Sequence, residues 1–170
     1  MKWKLSQNAV ENAGAKMPKL AEDYFRAGRK AAGKKNTPRQ LHRFRIQTKH
    51  FRYSLELFKP IYGPALDRHI RLLRGIQDAL GKVSDYQTIH ELIAGDKELE
   101  AAIRKGQDKK IKEFREEWKK FDSRGQLQRW KAYLMRTHAA RKSAEATPKK
   151  ATKTPAKSAA AAKPDARMNT

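Results

Sequence analysis

Basic side chains recur at alternating spacings of three and four along the segment 38–61. They are His42, Arg45, Lys49 and Arg52, and the carboxylate Glu56 follows at the same spacing. In a helix this spacing places the five side chains in one row, with neighbours about 5–6 Å apart. Arginine offers a planar fork of donors to phosphate oxygens, and lysine acts as a mobile point charge. The row therefore predicts a binding site for an extended anion.

The apolar residues of the same segment form two faces, one on each side of the row. One face is Leu41, Phe44, Thr48, Phe51, Leu55 and Phe58, and the other is Ile46, Tyr53 and Leu57. A simple amphipathic helix has one apolar face and one polar face. Two flanking faces predict that the row lies in a groove between packed helices, whereas a solvated charged surface is the plainer alternative. The pattern alone leaves both interpretations open.

The carboxylate of Glu56 is expected to balance part of this positive charge. It lies four residues after Arg52, a spacing that favours an ion pair on a helix. Cations that are close together and partly desolvated are unfavourable unless something neutralises them. The other cations of the row have no such partner in the pattern and are expected to bind an external anion. They are His42, Arg45 and Lys49.

The whole chain carries a strong excess of positive charge. Its 170 residues include 40 Lys and Arg against 18 Asp and Glu, which gives a formal net charge of +22. Self-repulsion of this kind destabilises a compact state, so a persistent anionic partner is expected. The chain has no cysteine, which excludes disulfides and thiolate metal sites. The five histidines show no metal-ligand motif, and we expect neither a metal nor another cofactor.

The N-terminal residues do not form the apolar core of a signal peptide. No stretch approaches the roughly 18 continuous apolar residues of a membrane-spanning helix. With the absence of cysteine, these features predict a cytoplasmic protein without a membrane partner.

Composition divides the chain near residue 141. The segment 141–170 is rich in Ala, Lys, Pro, Ser and Thr and has no aromatic residue, which predicts a disordered basic tail. Its eight basic and two acidic residues account for +6 of the net charge and leave +16 on residues 1–140. Residues 1–140 show helical periodicity throughout, so we expect an all-α, antiparallel helical bundle. The predicted helices are 6–33, 38–61, 64–81, 85–94, 97–122 and 124–140.

Capping signals set the predicted helix boundaries. The segment 37–40, Thr-Pro-Arg-Gln, is a capping box with proline at the first helical position. Gly81 predicts a helix end, and 84–87 predicts a second capping box directly after it. Asp96 predicts the start of another helix, and the segment 123–126 resembles a third box.

Two segments resemble the signatures of the CHAD family, the conserved-histidine α-helical domain. The first signature is carried by His42, Arg45, Lys49, Arg52, Tyr53, Glu56 and Phe58. The second is Leu73-Arg74-Gly75-Ile76-Gln77-Asp78-Ala79-Leu80-Gly81-Lys82-Val83-Ser84-Asp85. His50 stands where the family usually has Lys or Arg, and Ser84 stands where Asn is usual.

The resemblance implies a helical bundle that binds inorganic polyphosphate and associates with polyphosphate granules. The binding residues it implies are His42, Arg45, Lys49, Arg52 and Arg74, with Arg26, Arg29 and Arg71 as additional candidates. Family domains usually contain two related halves that face each other across the anion site, whereas this chain carries one. The chain therefore binds through a half-site or pairs as a homodimer that completes the site, and we favour the homodimer.

Two other functions compete with polyphosphate binding. A nucleic-acid-binding protein at the nucleoid would act through the basic surface and tail, independently of sequence and sensitively to salt. An enzyme acting on polyphosphate would need metal-holding carboxylates or an activated nucleophile beside the cations. The acids nearest the signatures, Asp78 and Asp85, have helix-end explanations, so we expect no catalytic residue.

Overall fold

A computed structural model describes residues 4–93 and 96–135, and all regular structure within those ranges is helical. The helices are α1 (Ala9–Ala31), α2 (Pro38–Leu57), α3 (Lys59–Tyr62), α4 (Leu66–Leu92), α5 (Lys97–Phe121) and α6, which occupies 126–135. The all-α prediction is confirmed. The predicted tail, 141–170, and the predicted end of the last helix lie outside the described residues. None of the described helices combines the length and the apolar character that crossing a membrane requires.

Side-chain caps begin three of the helices. Thr37 and Gln40 exchange the hydrogen bonds of the predicted capping box at the start of α2. Asp96 begins α5, as predicted, by accepting hydrogen bonds from two backbone N–H groups of the first turn. A box between Asn8 and Glu11 begins α1, and the sequence analysis did not identify it.

Helix α4 is continuous where two helices were predicted. The prediction that Gly81 ends a helix and that Ser84 caps the next is wrong. A glycine in a helix interior costs only about 1 kcal/mol relative to alanine. The neighbouring Leu80 and Val83 are both buried, and full burial of such a side chain contributes about 1.5–3 kcal/mol. The burial of Leu80 and Val83 therefore outweighs the tendency of Gly81 to end the helix.

The predicted helix 38–61 is interrupted at Phe58, so that α2 ends at Leu57 and the single turn α3 begins at Lys59. Pro60 explains the break. It has no N–H to donate to the carbonyl of Glu56, and its ring clashes with a continuing helix.

Helix α6 begins at 126 rather than at the predicted 124. Gly125 has a φ of 78°, in the left-handed region, so the helix cannot include it. The predicted capping box at 123–126 is not formed. The side chains of Ser123 and Gln126 instead accept hydrogen bonds from the Arg129 guanidinium.

The core is built around aromatic rings from α1, α2, α5 and α6. Tyr24 of α1 stacks on Phe44 and Phe51 of α2, with ring centroids 5.3 and 4.8 Å apart. Trp118 of α5 meets Tyr24 edge-on at 5.7 Å, and the fully buried Trp130 of α6 packs 5.6 Å from Phe51. Such pairs contribute about 0.5–1.5 kcal/mol each beyond the area they bury. Both tryptophans are core residues.

Helices α2 and α4 pack antiparallel. Arg74, near the start of α4, contacts Glu56 near the end of α2, and Gln77 contacts Arg52 one turn further along. The basic row of α2 consequently lies at the edge of this helix pair.

Candidate anion-binding groove

The basic row follows the side of α2 that faces α4, and we call the space between them the α2–α4 groove. Arg45, Lys49 and Arg52 are partly buried, whereas His42 is exposed. The α4 residues that face the row, from the start of the helix to its end, are Arg74, Gln77, Gly81, Ser84 and Thr88. Two rigid helices therefore fix the relative positions of these side chains.

Hydrogen bonds and ion pairs close one end of the groove. Arg52 donates to Glu56 Oε1 at 2.5 Å and to Gln77 Oε1 at 3.1 Å. Arg74 lies 3.3 Å from the same oxygen of Glu56. The Arg52 guanidinium also lies 4.3 Å from the centroid of the Tyr53 ring, close enough for a cation–π contact. The predicted pair between Arg52 and Glu56 is confirmed, and Arg52 is already held by groups of the protein itself.

The opposite end of the groove carries basic side chains that form no ion pair with the described residues. His42, Arg45 and Lys49 form no ion pair and no side-chain hydrogen bond with any residue in the described ranges. The Nε atom of Arg45 is buried and has no hydrogen-bond partner there. A buried donor without a partner costs about 1–3 kcal/mol, and a charged one costs more. A bound anion would remove this cost.

A cavity of about 430 Å³ lies at this open end. Its lining consists of Arg39, His42, Arg43, Arg45, Ser84, Asp85, Gln87 and Thr88. Four basic side chains therefore face one carboxylate, beside the Ser84 hydroxyl, which can donate a hydrogen bond to a phosphate oxygen. Arg39 was not among the predicted binding residues, although it precedes His42 by three residues and so lies one turn before the row.

The α2–α4 groove is open along one flank, which corrects the prediction that packed helices enclose it. The first apolar face of α2 is buried, as predicted. On the second face, Ile46, Tyr53 and Leu57 are 40%, 51% and 70% exposed. Helix α4 packs across only one side of the row, and no described element buries the other flank. The row is thus neither fully enclosed nor fully solvated.

The additional candidates are not brought into the groove. Arg26 pairs with Asp23 on its own helix. Arg29 forms two hydrogen bonds with Asp122, at 2.7 and 3.0 Å. Arg71 is exposed on α4 and does not contact the row. The residues that the structure does bring together are His42, Arg45, Lys49, Arg52 and Arg74.

The side chains of the groove suit an anion better than a metal cation. Arginine and lysine carry only donors, and their charge repels a cation. Of the nearby carboxylates, Glu56 lies at the closed end and Asp85 at the open end. Among the residues placed by the structure, no three His, Asp or Glu side chains form a group that could hold a metal ion.

Comparison with known proteins identifies one match. The family model described as "CHAD domain" matches residues 3–94. This range contains α1 to α4, and hence both walls of the groove, but it leaves out α5 and α6. No curated protein and no solved structure matches the chain.

Proposed function

This chain belongs to the CHAD-domain family, and on that premise we propose that it binds inorganic polyphosphate in the α2–α4 groove. CHAD domains are associated in general with polyphosphate binding. The observation that carries the proposal for this chain is the open end of the groove. Arg45 and Lys49 are partly buried there and form no ion pair with the described residues, and Arg45 Nε lacks a hydrogen-bond partner within the same part of the chain.

Each residue of the row has a distinct role in this proposal. Arg45 and Lys49 make the principal contacts with phosphate oxygens, and His42 adds a contact at the exposed end. Glu56 holds Arg52 and Arg74, and the bound chain of phosphates ends at these two arginines. A linear chain of phosphates matches a row of cations that continues over successive helical turns.

Titration with polyphosphate of several lengths tests the proposal. The double variant Arg45→Gln/Lys49→Gln is expected to bind at least tenfold more weakly, because each hydrogen bond between charged groups contributes about 1.5–3 kcal/mol. The matched control is Lys119→Gln/Arg124→Gln, which removes the same charge from exposed positions outside the groove. Equal losses in the two double variants would show that net charge, rather than the groove, determines affinity.

A second arm of the experiment separates the groove from the tail. Removing residues 141–170 is expected to weaken binding of every polyanion while preserving the difference between the two double variants. In the alternative function, sequence-independent nucleic-acid binding, the basic surface and the tail supply the affinity. Displacement of bound polyphosphate by duplex DNA as readily as by unlabelled polyphosphate would favour that alternative.

We propose binding without catalysis, with the protein acting in the cytoplasm at polyphosphate granules. The position of the carboxylates supports the first part of this proposal. Glu56 is tied to two arginines. Asp85 is a single carboxylate among four basic side chains, whereas metal-assisted phosphoryl transfer needs carboxylates that can hold the metal ion. Release of phosphate during incubation of the pure protein with polyphosphate and Mg²⁺ would contradict it.

A further inference from the structure

A second cavity adjoins the first at the N-terminal end of α2. Its volume is about 510 Å³, and its walls are the start of α2 with the two residues before it, the last turns of α4 and the middle of α5. Arg39 and Gln87 line both cavities. The open end of the α2–α4 groove therefore leads directly into this space.

Basic side chains from three helices line this cavity. They are Arg39 of α2, His90 of α4 and Arg104 of α5, and they face one carboxylate, Asp108. Neither Arg39 nor Arg104 has an ion pair or a side-chain hydrogen bond with the described residues. The lining is thus positively charged, and its arginines have donors available.

The first turn of α2 adds to this positive potential. Pro38 has no N–H, and the N–H of Gln40 is bonded to Thr37 Oγ1 at 3.3 Å. The N–H of Arg39 consequently remains without a hydrogen-bond partner in the described part of the chain. Backbone donors at a helix N-terminus and the helix dipole both favour an anion.

A buried amide gives independent evidence that a polar ligand belongs here. Gln107 of α5 lines the cavity, and the residue as a whole is only 9% exposed. It forms no side-chain hydrogen bond with any residue in 4–93 or 96–135. Its amide nitrogen and oxygen remain accessible from the cavity, so their hydrogen-bonding capacity is directed into that space. A ligand with acceptor oxygens would satisfy the donors of this amide.

Building on the proposed function, we infer that this cavity is a second phosphate subsite, in which Arg39, Arg104 and the Gln107 amide hold phosphates of the same polyphosphate chain. The ligand path runs from Lys49 and Arg45 past His42 and turns onto α5. Asp108 limits the net charge of the subsite and makes it weaker than the groove. The family match ends at residue 94, so the α5 residues of the subsite lie outside the matched range.

Chain-length dependence distinguishes this subsite from the groove. Tripolyphosphate fills only the groove, whereas long-chain polyphosphate reaches both. In the full-length protein, Arg104→Gln is expected to weaken binding of the long chain about tenfold, the loss of one contact between charged groups, and to leave tripolyphosphate binding unchanged. Lys105→Gln is the matched control, because it removes the same charge from the next residue of α5, outside this cavity.

Gln107→Leu provides a readout that separates binding from folding. The variant replaces an amide that forms no hydrogen bond with the described part of the chain, so its melting temperature should be unchanged or higher, while its affinity for the long chain falls. Long-chain affinities that are the same in Arg104→Gln and Lys105→Gln would overturn the subsite. The groove is tested separately, since Arg45→Gln should weaken both ligands. If Arg45→Gln affects neither ligand, the proposed function itself fails.

Discussion

Glu56 balances the charge at the closed end of the α2–α4 groove. It accepts a hydrogen bond from Arg52 at 2.5 Å and lies 3.3 Å from Arg74. Less than a third of its side chain is exposed, and Arg52 is only 12% exposed. This carboxylate stabilises the packing of α2 on α4, but it also repels a phosphate chain that approaches the same end.

Replacing this carboxylate should therefore change stability and affinity in opposite directions. We expect Glu56→Gln to lower the free energy of unfolding by about 1–3 kcal/mol, because it removes hydrogen bonds between charged groups. It should raise polyphosphate affinity several-fold, because two arginines are released and one negative charge is lost. Urea unfolding and ligand titration measure the two effects.

The control for this prediction is Glu117→Gln. Glu117 pairs with Lys120 at 2.9 Å on an exposed face of α5. The substitution changes the net charge equally, but exposed pairs of this kind contribute only about 0–1 kcal/mol. Weaker polyphosphate binding by Glu56→Gln than by wild type would contradict the role given to this carboxylate.

His69 joins α4 to α6 through two ring contacts. Its imidazole stacks on Tyr133 with centroids 4.7 Å apart and meets Trp130 edge-on at 4.6 Å. Desolvation in this contact lowers the pKa of His69 from its ordinary value near 6.5, and the charge of Arg68 acts in the same direction. The carbonyl of Ala65 opposes the shift in part. The folded protein therefore favours the neutral imidazole.

Stability should fall as the pH is lowered through this titration. The unfolded chain binds more protons than the folded one in the window just below about pH 6.5, so protonation favours unfolding there. We expect His69→Phe, which keeps an aromatic ring but does not titrate, to lose this part of the pH dependence. His50→Phe, at an exposed position of α2, should retain it. Identical pH profiles of the free energy of unfolding for wild type and His69→Phe would exclude the effect.

The residues of the row could be predicted because each is fixed by spacing along one helix. Arg39 could have been predicted in the same way. The places of Gln77 and Gln107 in the site could not, because they depend on which helix packs opposite them. A glutamine in a helix is an ordinary surface residue until tertiary packing buries its amide.

At the scale of the helix, two of the four predicted N-terminal caps formed and two did not. Thr37 and Asp96 identified the starts of α2 and α5, because each side chain satisfies the N–H groups of its own first turn. Gly81 failed as a stop signal because α4 buries Leu80 and Val83 on either side of it. That outcome depends on neighbouring helices, which local sequence does not specify.

Two glycines in helices are expected to respond oppositely to substitution by alanine. A Cβ at Gly28 would lie 1.9 Å from Cη2 of the buried Trp118, so Gly28→Ala should destabilise the fold by about 1–3 kcal/mol through overpacking. A Cβ at Gly75 would meet nothing within 4 Å. Gly75→Ala should therefore stabilise the protein by about 0.4–1 kcal/mol, because the unfolded chain loses conformational freedom. Thermal unfolding measures both, and a raised melting temperature for Gly28→Ala would contradict the close contact between α1 and α5.

At the scale of the whole molecule, an exposed apolar strip lies beside the groove. It consists of Ile46, Tyr53 and Leu57 on α2. The amphipathic pattern identified this strip, but it could not show whether the chain itself covers it. A second copy related by two-fold symmetry would cover the strip and bring two basic rows to opposite sides of one ligand.

We expect the protein to form this homodimer when polyphosphate is bound. Leu57→Asp places a charge on the most exposed residue of the proposed contact and should leave the protein monomeric in sedimentation experiments with the ligand. Leu99→Asp is the control, because Leu99 is similarly apolar and 43% exposed but lies on α5. Wild-type protein that sediments as a monomer with and without polyphosphate would rule out the dimer.

The uninterrupted course of α4 has a consequence for how a ligand is received. At a rise of about 1.5 Å per residue, its 27 residues form a rod about 40 Å long. This rod supplies one wall of the groove and, near its end, two residues of the second cavity. Because the helix is continuous, this wall is preorganised, and it holds its donors at their final spacing before any anion binds. The helix therefore loses little conformational entropy on binding. Ordering of the helix offsets little of the free energy of its contacts with the ligand, so those contacts contribute almost fully to affinity.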